Sequence, residues 1–188
     1  VGHSVLRLYV MGDDASRPAT PEELAEMCDV LRRCLDAGAV GLSTSYVDIE
    51  EDMRPVPCRF ADHSELRALC AVLGERGRML QIVHEFFDPD LTISRVEMLG
   101  DLSREFGIPT TLSPLFHSNA APESTTRVMA AVDREVANGA RVWPQVQTRP
   151  IDISFSLDMA SLYFVQLPMW YMLLRMPRAQ RIALFRND

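Results

Sequence analysis

The sequence contains no lysine, and arginine supplies all 19 of its basic residues. The absence of lysine excludes a Schiff-base lysine and a carboxylated lysine that bridges two metal ions from this segment. The formal net charge is −7 at pH 7, and no basic stripe runs along the chain. An acidic surface repels a phosphate backbone, so we expect no nucleic-acid partner.

Long apolar runs and paired cysteines are missing as well. A membrane-spanning helix needs about 18 or more apolar residues, and no such run occurs, so we expect no membrane partner. Residues 1–12 lack the features of a signal peptide. The four cysteines form no CxxC pair, and the positions of Cys28, Cys34 and Cys70 on apolar helix stripes are typical of small core residues. These features predict a cytoplasmic protein, and the missing initiator Met makes us expect a fragment of a longer chain.

One pattern recurs four times between Thr20 and Val146: an amphipathic helix, then a glycine, then a short apolar strand. The first helix opens with a capping box at Thr20–Glu23 and ends at Gly38. The other helices are expected to begin near Asp62, at Asp90 or Thr92, and near Ser124. Strands are expected at 39–45, 78–85, 108–116 and 140–146, with an earlier one at 5–11.

Helices that alternate with apolar strands predict an α/β fold with a parallel sheet whose faces are covered. A unit of roughly 30 to 40 residues is typical of a (β/α)8 barrel. We therefore predict that residues 1–150 form about five strands of a partial (β/α)8 TIM-type barrel. An open doubly wound sheet is the alternative, although the glycine-rich phosphate-binding motifs of such folds are absent.

Residues 151–188 interrupt this pattern and are rich in aromatic residues and methionine. Pro168 and Pro177 flank a short apolar helix. We expect an insertion or lid-like helical segment that packs against the barrel. Alternatively, its aromatic side chains cover the pocket and contact an apolar part of a substrate.

Polar residues occur where the predicted strands end, which is where barrel enzymes carry their chemistry. His84 ends one strand and His117 follows the next. Neutral imidazoles from neighbouring strand ends can bind zinc, but a histidine in such a wall can equally be hydrogen-bonded and structural. Ser45, Gln145 and Arg149 are candidates for substrate binding. Arg149 can hold a carboxylate with two parallel hydrogen bonds, or it can form an ion pair with Asp152.

Three segments carry a resemblance to a known family: VGHSVLRLYVMG (1–12), RPATPEELAEM (17–27) and DAGAVGLSTS (36–45). In order and spacing they resemble the N-acyl-D-amino-acid deacylases, the D-aminoacylase branch of the amidohydrolase superfamily. Residues 137–157 resemble a divergent group of that family. The resemblance implies the central part of a metal-dependent barrel in which activated water attacks the acyl carbonyl of an N-acyl amino acid or a related small amide.

The resemblance also implies roles for particular residues. His84 occupies the position of the family's histidine ligand on the fifth barrel strand, although Glu85-Phe86-Phe87 replaces the Arg-Asp-Glu run that follows it in the family. On the sixth strand the family has a Ser-His pair, whereas this chain has Ser113-Pro114, so a zinc site would need His117 instead.

The resulting hypothesis is a hydrolase of non-peptide carbon–nitrogen bonds. The alternative is a catalytically degenerate homologue that binds a small acid without metal chemistry. The sequence predicts no oligomeric state.

Overall fold

A computed structural model describes residues 1–115, 117, 121–149, 152, 154, 164 and 167–186. Helices and strands alternate along the chain, and two short 3-10 helices lie at Gly12–Asp14 and Pro57–Phe60. In chain order the elements are α1 (His3–Met11), α2 (Pro21–Asp36), β1 (Gly41–Ser45), α3 (His63–Glu75), β2 (Met79–Val83), α4 (Pro89–Phe106), β3 (Thr110–Ser113), α5 (Glu123–Ala137), β4 (Val142–Pro144), α6 (Pro168–Leu174) and α7 (Arg178–Arg186).

The four strands form one parallel sheet in the order β1-β2-β3-β4. Each strand therefore pairs with the next strand of the chain, whereas a doubly wound sheet reverses its order at a switch point. Neighbouring helices from α2 to α5 contact one another and form one layer outside the sheet. This arrangement is a segment of a (β/α)8 barrel wall, which confirms the predicted fold class.

One face of the sheet is buried beneath the helices. Its side chains come from alternate positions on the strands and form the core with the helix stripes: Leu42, Leu80, Ile82, Leu112 and Val142. Cys28 and Cys70 are buried in the same core and Cys34 packs against it, as predicted. Burial raises the pKa of the Cys70 thiol to about 12, so this thiol stays protonated.

The strand expected at 5–11 is wrong, because residues His3–Met11 form helix α1. His3, Leu6, Arg7 and Met11 are its buried residues, and this spacing of three and four is the helical period. The extended pairing with β1 is made just before the helix, where Ser43 donates its backbone N–H to Val1 O at 2.8 Å. The described part of the chain thus has four strands, not five.

The repeated helix–glycine–strand unit is confirmed. The glycine after each of the four helices has a positive φ, from 59° at Gly77 to 107° at Gly38, a conformation that strongly favours glycine. The capping box at Thr20 is present, and Asp62 caps α3. Helix α4 begins at Pro89, earlier than expected, because the Asp88 carboxylate accepts hydrogen bonds from the backbone N–H groups of Asp90 and Leu91.

In the part of the chain that the structure describes, no helix has the length and apolar character needed to cross a membrane. The boundary predicted at residue 150 lies next to residues outside the described ranges, so it stays a prediction.

A buried ionic network joins α1 to α3 below the first strand. Arg7 donates to Glu65 Oε1 at 2.6 Å, and His3 Nε2 lies 2.8 Å from the same oxygen. His3 Nδ1 lies 2.9 Å from Thr44 Oγ1, which ties the network to β1. Burial by itself raises the pKa of Glu65, but the hydrogen bonds from His3 and Arg7 outweigh it, so the pKa lies below its ordinary value.

Replacing Glu65 by alanine should be strongly destabilising, because it leaves the Arg7 guanidinium buried without a counter-charge. We expect the free energy of unfolding to fall by about 3–5 kcal/mol, measured by urea denaturation. The control is Glu75→Ala on the same helix, where the carboxylate pairs with Arg32 at the surface. That change should cost about 1 kcal/mol or less, and an equal loss in both variants would contradict the role of burial.

The Glu65 network should also make stability depend on pH. A folded-state pKa below the unfolded value of about 4.3 means that the unfolded chain binds the proton more readily. The contribution of Glu65 is therefore complete above about pH 4.3 and is lost as the pH falls through the folded-state pKa. Urea titrations at several pH values should measure the free energy of unfolding of wild type and of Glu65→Gln. The difference between the two should become smaller as the pH falls below about 4.3. A difference that stays constant would show that Glu65 is not ionised in the fold.

Candidate functional site

The sheet face opposite the helices carries neutral polar side chains. Gln81 donates its Nε2 to Ser113 Oγ at 3.2 Å, and Gln145 donates to Thr111 Oγ1 at 3.2 Å. The alternation of each strand places these residues on the inner side of the barrel wall, away from the buried leucines. Within the described strands this inner face carries no carboxylate, imidazole or thiol. It offers hydrogen bonds, but no acid, base or metal ligand.

Ser45 lies on this inner face at the end of β1, where it is buried. Its Oγ accepts hydrogen bonds from the backbone N–H groups of Val47 and Asp48, at 3.2 and 3.0 Å. The hydroxyl thus fixes the turn after the strand. Its role in substrate binding stays a prediction.

His84 lies on the helix side of the sheet. It follows Leu80 and Ile82 in alternation and is 1% exposed. Its Nε2 lies 3.1 Å from the Pro114 carbonyl oxygen, and its Nδ1 lies 3.1 Å from Thr92 Oγ1. A carbonyl oxygen only accepts, so Nε2 carries a proton and donates it.

Burial also lowers the pKa of His84, more than the Pro114 hydrogen bond and the Glu85 carboxylate raise it. The neutral ring is therefore favoured, and its Nδ1 accepts from the Thr92 hydroxyl. That hydroxyl also lies 2.9 Å from the Asp88 carbonyl oxygen and 3.4 Å from the Glu85 carbonyl oxygen, so its one proton is shared among three acceptors. Both ring nitrogens are engaged, so a metal would have to displace one of these partners.

The remaining predicted residues are not brought together. His117 is exposed, and residues 116 and 118–120 beside it lie outside the described ranges. Arg149 is exposed and forms no ion pair with Asp152, although both are described. Gln145 therefore shares the inner face with Ser45, whereas His84 lies on the other face.

The residues present do not fit a catalytic zinc site. Zinc in enzymes commonly has three protein ligands, and the described ranges contain no group of three His, Cys, Asp or Glu side chains placed to hold a metal. The assignment of His84 and His117 as ligands stays a prediction, and we derive no reaction step from it.

A cavity of about 500 Å³ lies at the carboxyl-terminal edge of the sheet, between the loops after β1 and β2. Its wall is mainly apolar and aromatic: Tyr46, Val47, Ile49, Met53, Pro55, Arg59, Glu85, Phe86, Phe87, Asp88, Leu91 and Tyr171. Tyr171 comes from α6, as the lid hypothesis for residues 151–188 expects, although that hypothesis stays a prediction. This cavity was not predicted from the sequence. The feature that could have indicated it is the Phe86-Phe87 pair, which stands where the resembling family has charged residues.

Arg95 of α4 connects the two loops of the cavity. It donates to both Glu85 oxygens, at 3.0 and 2.6 Å. Its guanidinium also lies over the Tyr46 ring, 3.5 Å from the centroid. This cation–π contact and ion pair hold Tyr46 and Glu85 to the same residue.

Comparisons with known proteins agree with the fold and confirm the resemblance to the D-aminoacylase branch of the amidohydrolases. No protein-family model matches the chain. Among solved structures, a D-aminoacylase superposes with a TM-score of 0.64 and 24% identity, over 78% of this chain and 29% of that one. The N-acyl-D-glutamate deacylase of Bordetella bronchiseptica, solved with zinc and a phosphonate inhibitor, superposes with a TM-score of 0.61 and 27% identity, over 80% of this chain and 30% of that one.

Two curated relatives give the same picture at the sequence level. The D-aminoacylase of Alcaligenes xylosoxydans xylosoxydans is 31% identical over 113 residues, which are 60% of this chain and 22% of the relative. An uncharacterised protein of Mycobacterium tuberculosis is 38% identical over 100 residues, 47% of this chain and 16% of the relative. The chain therefore spans less than a third of each relative that it matches.

The two possible roles of His84 differ in a measurable way. Replacing it by alanine removes two hydrogen bonds and opens a cavity, so we expect unfolding to become easier by about 2–4 kcal/mol. Metal content per folded chain, measured by elemental analysis of the full-length protein, should not change.

Thr92→Val serves as the matched variant, because it removes one partner of the same ring and leaves the imidazole in place. It should cost about 1–2 kcal/mol. A His84→Ala protein that keeps its stability but loses its metal would instead support the ligand assignment.

Proposed function

We propose that the protein is an amidohydrolase that cleaves the amide bond of an N-acyl amino acid or a related small amide. The observation that carries this proposal is the match of the barrel segment to an N-acyl-D-glutamate deacylase at 27% identity and a TM-score of 0.61. The curated D-aminoacylase, 31% identical over 113 residues, supports the same reaction class.

In this proposal the inner face of the sheet receives the substrate. Gln81, Ser113 and Gln145 supply neutral amide and hydroxyl groups on this inner face, and Ser113 and Gln145 lie near the carboxyl-terminal edge, where barrel enzymes bind their ligands. Neutral donors suit an amide carbonyl, because they bind it without a charge that would have to be desolvated. Arg149, exposed and without a carboxylate partner among the described residues, is a candidate for holding a substrate carboxylate.

Metal use belongs to the proposal for the whole protein. The solved relatives include a deacylase with zinc and a D-aminoacylase with copper chloride. A bound zinc would supply an activated water, and the residues described here contribute to it no complete ligand set. The ligands would therefore come largely from other parts of the chain.

The neutral inner face also favours a second function, in which a degenerate homologue binds a small acid without hydrolysing it. Inward-facing positions on all four described strands that lack an acid, a base or a metal ligand are what such a protein would have. The two functions differ in whether an amine is released.

Hydrolysis of a panel of N-acyl-D-amino acids by the full-length protein, followed by detection of the released amine, tests the proposal. We expect release that stops on chelation and returns with zinc. Binding without amine release, in a protein free of metal, would support the second function and overturn the first.

Gln145→Ala should raise KM about five- to tenfold and change kcat less, because a neutral hydrogen bond to the substrate contributes roughly 1 kcal/mol. The matched control is Gln180→Ala, an exposed glutamine on α7, which should leave both constants unchanged. Equal KM and kcat values in the two variants would show that Gln145 does not bind the substrate.

A further inference from the structure

We infer that the cavity between the loops after β1 and β2 binds an amphipathic carboxylic acid, with its apolar group among the aromatic side chains and its carboxylate on Arg59. This deepens the proposed function, on which the choice of substrate class rests, because an N-acyl amino acid with an apolar chain is such an acid.

The size and lining of the cavity suit an apolar group. Its volume of about 500 Å³ falls in the range of pockets that hold small ligands. Phe86 and Phe87 lie with ring centroids 4.5 Å apart in its wall, and Phe87 and Leu91 are 47% and 45% exposed. A ligand that covers these side chains removes apolar surface from water, which is the main source of affinity in such pockets.

Arg59 is the only cation among the described residues that line the cavity. It forms no ion pair in the described ranges, and its hydrogen bonds are two long ones, at 3.4 Å, to the carbonyl oxygens of Val47 and Asp48. A guanidinium without a carboxylate partner at the rim of an apolar cavity is suited to hold an anion by two parallel hydrogen bonds.

The two acids in the cavity wall do not compensate this charge. Glu85 is bound to Arg95 through both of its oxygens. Asp88 accepts hydrogen bonds from two backbone N–H groups at the start of α4, where a negative charge is already favoured. Neither acid is paired with Arg59, so its guanidinium is available to an anion.

The cavity also adjoins the inner face of the sheet. Tyr46 in its wall directly follows Ser45, and its backbone N–H donates to Val83 O at 2.9 Å. Tyr171 of α6 lines the cavity as well. An acid held here is thus next to the edge at which the proposed reaction takes place.

Binding of octanoate and of octanamide to the full-length protein, measured by isothermal titration calorimetry, tests the inference. The two probes share an apolar chain and differ in charge. Arg59→Gln should weaken octanoate binding about tenfold or more, since it removes a charge-assisted contact, and should leave octanamide binding unchanged. Phe87→Ala should weaken both probes.

Arg54→Gln is the matched control, because Arg54 is an exposed arginine in the same loop that is already paired with Asp52. It should change neither affinity. Octanoate binding that is absent, or that is equal in wild type and Arg59→Gln, would overturn the inference. Amine release by the wild type is measured separately, so failure of the binding site and failure of the proposed hydrolysis give different results.

Discussion

The alternation of side chains along four parallel strands is the constraint on which the rest of the structure depends. One set of positions is buried beneath the helices, and the other set faces the inside of the barrel wall. Because the period is two, a residue cannot change its side without a change in the register of its strand. This places Gln81 and Ser113 inside, and it places His84 under α4 together with Leu80 and Ile82.

His84 shows how a site residue can be assigned differently by family position and by geometry. The resemblance to the deacylases predicts a metal ligand at this position, after an apolar strand. In the fold, its ring links the start of α4 to the loop after β3 through Thr92 and Pro114. The burial that protects these two hydrogen bonds also lowers the pKa of the ring, so the histidine is held in one tautomer. A residue held in this way contributes to the spacing between the start of α4 and the loop after β3.

Much of the fold could be predicted from the sequence, because local signals determine it. Thr20 and Asp62 cap their helices, and Gly38, Gly77 and Gly107 end theirs with a positive φ. Residues 5–11 were misassigned because an apolar segment with β-branched residues fits a strand as well as a helix. The helix is stabilised by non-local contacts. His3 and Arg7 bind the buried Glu65, which lies 62 and 58 residues further along the chain, respectively. The cavity was missed for the same reason, since its wall comes from loops and a helix that are far apart in the chain.

The position of Arg95 has a consequence for which molecules the cavity can accept. Its guanidinium lies over Tyr46 and binds Glu85, so one side chain of α4 holds the two opposing loops at a fixed separation. Widening the gap requires the loss of the stacking contact or of the paired hydrogen bonds. The separation of the two loops is therefore set before any molecule arrives, and a molecule that enters the cavity has to fit it.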